Sequence, residues 1–523
     1  MSALLAAYWE IMDDYIVLIF GCTILSTQFS PPGRVVIVGG GSAGWMTASV
    51  FLNSLGRAGS QIVLVESDRI PTIGVGEGTT PLFKRFLEFN GITETEFMAN
   101  CNSTYKLGIN FPGWTDSDEF DSYFHPFIAA GYNQYDQDFF NSCDRRRSGQ
   151  HSATSPDDYF FNAEMAWQRR APVGPPPCDS SKMDYGYHFD TALVAEFLKK
   201  RALAAGIEYI VDDVSEVVKN GKGDISHIVT ENHGDVAGDF FVDCTGFRRM
   251  LIGDTLDVDA ISYKPRLFND SAVVIRTPDN GEGDIPPYTE STALECGWAW
   301  CIPLRGKTSW GYVYSADYTT KEDAEAELRR HIGESAGNIK ALHIKLRTGR
   351  NLEHWKNNCL AVGLSQGFIE PLEATALALT QFTINRFVTH FARGNYQSTH
   401  RDFFNGIINE AFDCTIDYIQ LHYKLNTRQD TEYWKNCRDN ENITATQKAI
   451  IDGWESGEDF INVLRNHVHR SSYAPYSWYC ILSGMGRYGS HTMDGEKLRN
   501  ANPHRDTVAS YSSHRAYLES LQG

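Results

Sequence analysis

Three glycines in the order Gly39-x-Gly41-x-x-Gly44 could let a backbone pass close to a pyrophosphate, and Glu66 follows 22 residues beyond the last of them. At that remove an acidic side chain can take a ribose hydroxyl, while the free N–H groups at a helix start stabilise phosphate charge. Gly40-Gly41-Ser42-Ala43-Gly44 also fits the G-x-S-x-G turn of a nucleophilic serine, and so does Gly363-Leu364-Ser365-Gln366-Gly367. Both serine readings lack support: almost nothing structured precedes Ser42 to supply an oxyanion hole, and Pro371 would break the helix that must follow Ser365. A metal site is not expected, because His467 and His469 have no Cys, Asp or third His near them to complete a ligand set.

The glycine motif needs a strand, a turn and a helix to hold it. Residues 35–38 (VVIV) read as a short buried strand, 39–44 as a tight turn, 45–55 as a largely apolar helix and 61–66 (QIVLVE) as a second strand. Inside such a βαβ unit the motif favours a dinucleotide site over a plain glycine-rich turn. Farther on, His188-Phe189-Asp190 leads into an amphipathic helix over 191–205, strand-like segments follow near 207–218 and 225–231, and residues 239–243 run into the turn Cys244-Thr245-Gly246-Phe247. Residues 112–186 read as loops and short helices, and from about residue 400 the pattern is helical. The organisation expected is an extension over 1–33, a module over 34–400 with the segment 112–186 inserted, and a helical module over 401–523.

A chain of 523 residues has room for these modules. Its formal net charge of −19 would repel a phosphate backbone, and no basic stripe offsets it, so nucleic acid is not expected as a partner. Eleven cysteines, odd in number and never spaced C-x-x-C, read as buried reduced thiols of a cytoplasmic protein. The apolar run at 15–25 would span about 16 Å as a helix, roughly half a bilayer core. Its upstream flank holds Glu10, Asp13 and Asp14 and no Lys or Arg, unlike a signal peptide. No membrane partner is expected, and the run reads as an extra packed element or as a stretch ahead of the native start.

Four blocks resemble the flavin-dependent halogenases of the tryptophan-halogenase type. They are Gly39-Gly40-Gly41-Ser42-Ala43-Gly44-Trp45, Gly74-Val75-Gly76-Glu77-Gly78-Thr79, Trp298-Ala299-Trp300-Cys301-Ile302-Pro303 and Phe368-Ile369-Glu370-Pro371-Leu372-Glu373-Ala374-Thr375. The resemblance runs from Arg34 to about Gly486 and implies an α/β (mixed α+β) flavoprotein, with a Rossmann-like FAD-binding module of the aromatic-monooxygenase and halogenase kind and a helical C-terminal substrate module. It implies FAD, arriving as FADH2 from a separate reductase, together with a halide ion, and a homodimer is compatible with it. The cofactor would meet Gly39, Gly41, Ser42, Ala43, Gly44, Trp45, Glu66, Gly76, Glu77, Val214, Gly363 and Phe368.

The implied chemistry is divided between two places: hypohalous acid forms at the flavin and passes through an internal tunnel to Lys106, which holds electrophilic halogen beside an aromatic substrate. Glu373 would polarise the oxidant and take the proton that the ring loses. Thr375 and Ala376 would offer backbone N–H groups to the halide at a helix start, although the family's usual Glu-Ser-Thr-Gly reads here Glu373-Ala374-Thr375-Ala376. Trp298 and Trp300 would bar organic substrates from the flavin, while His125, Phe127, Trp478 and Tyr479 would line the substrate pocket. Ser471-Ser472-Tyr473-Ala474-Pro475 stands where enzymes acting on free tryptophan are Asn-rich. An indole or related electron-rich arene is therefore expected in place of free tryptophan, with bromide used at least as well as chloride.

Each of these residues also has a plainer reading. Lys106 could be a surface lysine on a strand, Glu373 a dipole partner at the start of a helix over 374–387, and Trp298 and Trp300 core tryptophans. An aromatic monooxygenase on the same kind of fold is the second functional expectation, and a flavin-binding protein without turnover is the third.

Overall fold

Val35, Val36, Ile37 and Val38 are apolar at consecutive positions, a pattern suited to a parallel strand covered on both faces. In the protein, a computed structural model describing residues 30–70, 76–128, 134–174, 184–468, 473–488 and 498–521, the strand Arg34–Val38 lies inside a six-stranded sheet. The apolar run at 15–25 falls outside the described residues, as do Gly74, Val75, Cys178, His469, Ser471 and Ser472. Phe240–Asp243 and Gln61–Glu66 flank the central strand in parallel, with Cys359–Ala361 and Glu208–Val211 parallel beyond them. The chain thus returns to this sheet at residues 240 and 359, long after the glycine turn.

The helix after that turn covers Ser42–Phe51 and runs on through a π-helical turn, Leu52–Gly56, so it begins three residues earlier than the apolar pattern suggests. Gly363–Ser365 forms a 3-10 turn followed by the two-residue strand Gly367–Phe368. Ser365 is fully buried and donates to the Gly246 carbonyl at 3.1 Å, which removes the second nucleophile reading.

A second sheet of seven strands runs in the order Leu342–Lys345, Ser271–Pro278, Lys307–Tyr314, Gly297–Leu304, Thr289–Leu294, Gly108–Pro112, Ser122–Pro126. It carries Trp298 and Trp300 on one strand and His125 on its edge strand. A three-stranded sheet joins Gly76–Gly78 and Thr104–Lys106 to opposite sides of Gly186–Asp190, setting Lys106 opposite Gly186 and Gly78 opposite His188.

The helices Thr375–Arg393 and Arg401–Leu425 carry the chain away from the sheets. Shorter helices follow at Glu432–Asp439, Ala445–Glu455, Phe460–His467 and Pro475–Gly484. Local chemistry fixes their starts: Thr431 caps one, and Thr444 with Gln447 forms a reciprocal capping box on the next. Among the described residues no helix is long and apolar enough to cross a membrane, and the described cysteines are free thiols.

Candidate active site

The glycines of the first turn serve different ends. A Cβ on Gly44 would stand 1.9 Å from the Gly39 carbonyl oxygen, and one on Gly40 would stand 2.2 Å from the Glu66 carboxyl carbon, so both positions are closed by the protein itself. A Cβ on Gly41 meets no atom within 4 Å. Gly41 instead borders a cavity of about 550 Å³, together with Gly39, Ser42, Ala43, Glu66, Gly76, Glu77, Val214, Gly363 and Phe368. Trp45 is turned away from it, buried with its ring centroid 5.6 Å from that of Tyr209. The Glu66 carboxylate accepts from the Tyr209 hydroxyl at 2.7 Å and the Lys199 ammonium at 3.3 Å. Burial pushes Glu77 up to about 7.

The same cavity is also lined by Trp298, Trp300, Ala376 and Lys106, so one continuous space joins the glycine turn to the lysine. Lys106 is not a surface residue: it is 1% exposed. Burial lowers it to about 7, against the raising effect of the Glu373 charge. Its Nζ lies 5.4 Å from the centre of the Phe127 ring. The strand that carries it is tied on several sides. Thr104 donates its hydroxyl to the Pro303 carbonyl at 2.7 Å, linking it to the tryptophan strand, and the Tyr105 N–H donates to His514 Nε2 at 3.1 Å.

Two buried glutamates precede the helix Thr375–Arg393. Ala374 adopts a left-handed conformation with φ 57°, so this helix starts one residue later than the sequence pattern suggests, immediately after a sharp bend at the residue following Glu373. Burial alone would push Glu373 up, but it is held at about 2 by His125 and His422. His125 Nδ1 stands 2.9 and 3.0 Å from its two oxygens, and His422 Nε2 stands 3.3 Å from Oε1. Glu370 has neutral donors instead: Trp298 Nε1 at 3.0 Å and Asn269 Nδ2 at 2.8 Å, and burial raises it. Trp298 is therefore anchored through its indole N–H as well as packed in the core.

Residues 34–498 match the family model described as tryptophan halogenase. The chain belongs to the tryptophan halogenase family. It is thus a flavin-dependent halogenase, an enzyme whose family uses FAD. It is 39% identical over 481 residues to Tryptophan 6-halogenase SttH of Streptomyces toxytricini, covering 88% of this chain and 90% of that protein. The 7-chloro-L-tryptophan 6-halogenase KtzR of Kutzneria sp. (strain 744) is 38% identical over 475 residues, covering 86% and 90%. The solved structure of SttH overlays with a TM-score of 0.79 at 36% identity, over 94% of this chain and 96% of that one. BrvH, a flavin-dependent halogenase from Brevundimonas sp. BAL3, overlays with a TM-score of 0.80 at 29% identity, over 94% and 99%.

In this halogenase the four residues expected in the substrate pocket are spread around the Glu373 carboxylate and the helix Pro475–Gly484. Phe127 faces Lys106. His125 spends both ring nitrogens on protein, Nδ1 on Glu373 and Nε2 on the Ser477 hydroxyl at 2.9 Å. Trp478 packs edge-on against Tyr418 with centroids 4.9 Å apart. Tyr479 lies two positions beyond Ser477, on the other side of the helix, and packs in the helical core against Phe140, Trp454 and Phe460. The sequence alone did not single out His422, Ser477, Asn269 or the anchoring role of Glu370, since each acts on a partner distant in sequence. One local signal was available: Glu370 and Glu373 flank Pro371 and Leu372, and two carboxylates so close in an apolar stretch need partners.

Proposed function

We propose that this halogenase takes FADH2 from a separate reductase and places electrophilic halogen, by way of Lys106, on an electron-rich arene such as an indole. The observation that carries the reading is that one cavity is lined both by the glycine turn and by Lys106. FAD suits the glycine turn: Gly41 leaves room that no protein atom fills, and Glu66 and Val214 border the same space. Ser42, Ala43, Gly76, Glu77, Gly363 and Phe368 would complete its surroundings, with Gly44 acting through close packing of the turn. Bound in reduced form, FAD supplies the electrons by which oxygen becomes an oxidant able to convert halide to hypohalous acid.

The remaining steps belong to the chain's own side chains. The helix beginning at Thr375 presents Ala376 to the cavity, and the backbone N–H groups at that helix start would hold the halide. Trp298 and Trp300, which line the same cavity, would bar an organic substrate from the flavin. Lys106, at about 7, supplies both forms near neutrality: the ammonium can donate to hypohalous acid, and the amine can accept its halogen. Glu373 takes the ring proton, and a low carboxylate value is no obstacle because a halogenated arenium ion is a strong acid.

Relatives named as tryptophan 6-halogenases place tryptophan first among the indoles to test. Purified protein is supplied with FAD, a flavin reductase, NADH, oxygen, tryptophan or indole, and bromide and chloride in competition. Mass spectrometry is expected to show a bromine or chlorine isotope pattern on the ring, with bromide used at least as readily as chloride. A gain of one oxygen in place of halogen would establish hydroxylation instead, and no product would leave only flavin binding.

A further inference from the structure

Buried imidazoles are costly unless their polar atoms find partners. His422 is fully buried on the helix Arg401–Leu425, with its ring centre 4.8 Å from that of Phe111, 5.7 Å from that of Trp114 and 5.6 Å from that of Tyr418. Neither of its nitrogens makes a well-aligned hydrogen bond. The polar contact left to it is Nε2 to Glu373 Oε1 at 3.3 Å. We propose that His422 is a positioning residue for halogen transfer, a second imidazole that clamps the Glu373 carboxylate beside His125 and keeps it ready to take a proton.

The inference rests on the reading that Glu373 removes the ring proton, and it explains how a carboxylate can do so in an enclosed site. Glu370 is the internal comparison. It stands three residues away, is as deeply buried, and receives N–H groups from a neutral indole and a neutral amide; burial prevails there and the carboxyl is raised. At Glu373 the two imidazoles reverse that outcome. The other titratable groups coupled to Glu373 cannot do the same work. Tyr123, Tyr418, Tyr473 and Cys480 are all pushed well above their ordinary values by burial and stay neutral. Lys106 has its own role and is itself lowered by burial. His125 and His422 are left to hold the charge, from the edge strand Ser122–Pro126 and the long helix respectively.

The test measures halogenated arene formed per flavin reoxidised, from pH 5.5 to 8.5, in the complete reductase-coupled system. His422→Phe keeps the aromatic packing but offers no donor, so the carboxylate is expected to rise and the transfer yield to fall progressively below wild type towards pH 5.5 while approaching it at pH 8.5. His422→Gln, which retains an N–H that can reach Oε1, is expected to restore most of the acid-side yield. His422→Asn is too short to reach and is expected to behave as His422→Phe does; it decides the matter if the Phe protein does not fold. A yield equal to wild type at every pH, or one reduced by the same factor at every pH, overturns the proposal. Glu373→Gln, run alongside, is expected to lose transfer across the whole range. If it instead transfers like wild type, the role of Glu373 fails and the clamp fails with it, whereas a normal His422→Phe beside a defective Glu373→Gln rejects the clamp alone.

Discussion

A Cβ built on Gly78 would stand 2.9 Å from the Lys106 Nζ, so the lysine occupies space that only a glycine at 78 leaves open. Gly78→Ala is expected to push the end of Lys106 aside while its strand stays paired to Gly186–Asp190. Because misplacement of a reacting group by about 1 Å can cost on the order of 10²-fold, halogenated product should fall ~10- to 100-fold. Flavin reoxidation, followed by stopped-flow absorbance, should remain close to wild type.

The two ends of the glycine turn should separate folding from cofactor binding. Gly41→Val adds a side chain where no protein atom stands, so thermal unfolding of the apo-protein should be nearly unchanged while FAD affinity, read by fluorescence quenching, is lost. Gly44→Val would drive a side chain into the Gly39 carbonyl and is expected to lower the apo-protein's melting temperature itself.

The Trp298–Glu370 bond should be structural in its cost. Glu370→Ala leaves the Trp298 and Asn269 donors unpaired beside a new void, an expected loss of about 2 to 4 kcal/mol in urea unfolding. Glu370→Gln keeps an acceptor oxygen and the side-chain volume and should cost less than about 1 kcal/mol.

Burial of Lys106 sets a cost in stability with a defined pH dependence. Below about pH 7 the group is protonated in folded and unfolded chains alike, and the folded protein bears the whole penalty of burying the charge. Between about 7 and the ordinary lysine value of 10.5 the unfolded chain holds the extra proton, so stability rises with pH. Lys106→Met is therefore expected to stabilise the protein by roughly 3 to 5 kcal/mol at pH 7, with the gain over wild type shrinking as the pH approaches 10. Urea unfolding across that range checks both the sign and the slope.

The parts of this account legible in the sequence are those written locally. Residues 35–38, the glycine turn and residues 61–66 declare themselves by hydrophobic runs and glycine spacing, and the strand Gln61–Glu66 falls where the pattern places it. Lys106 was found through the resemblance, because a lysine on a short strand carries no local mark of being buried. The surroundings of Glu373 were illegible for a related reason. His125 and His422 reach it from 248 residues upstream and 49 residues downstream, and His422 sits in a helix whose amphipathic pattern makes it look like any other core-facing residue. The resemblance puts Tyr479 in the pocket, and helical geometry sets it on the opposite side of its helix from Ser477, a placement that no local pattern in the sequence announces. The left-handed Ala374 gave no signal, since alanine seldom adopts that conformation.

Under the proposed function the oxidant is made where the flavin binds and used beside Lys106, which controls its transfer. The most direct test is Lys106→Ala, shown to be folded and to bind FAD, assayed with a reductase, halide and the arene that the wild-type protein halogenates while a small electron-rich scavenger traps escaping hypohalous acid. Flavin reoxidation and trapped hypohalous acid are expected to continue near the wild-type rate while the halogenated arene disappears. Halogenation of that arene by this variant at the wild-type rate would contradict a transfer role for Lys106.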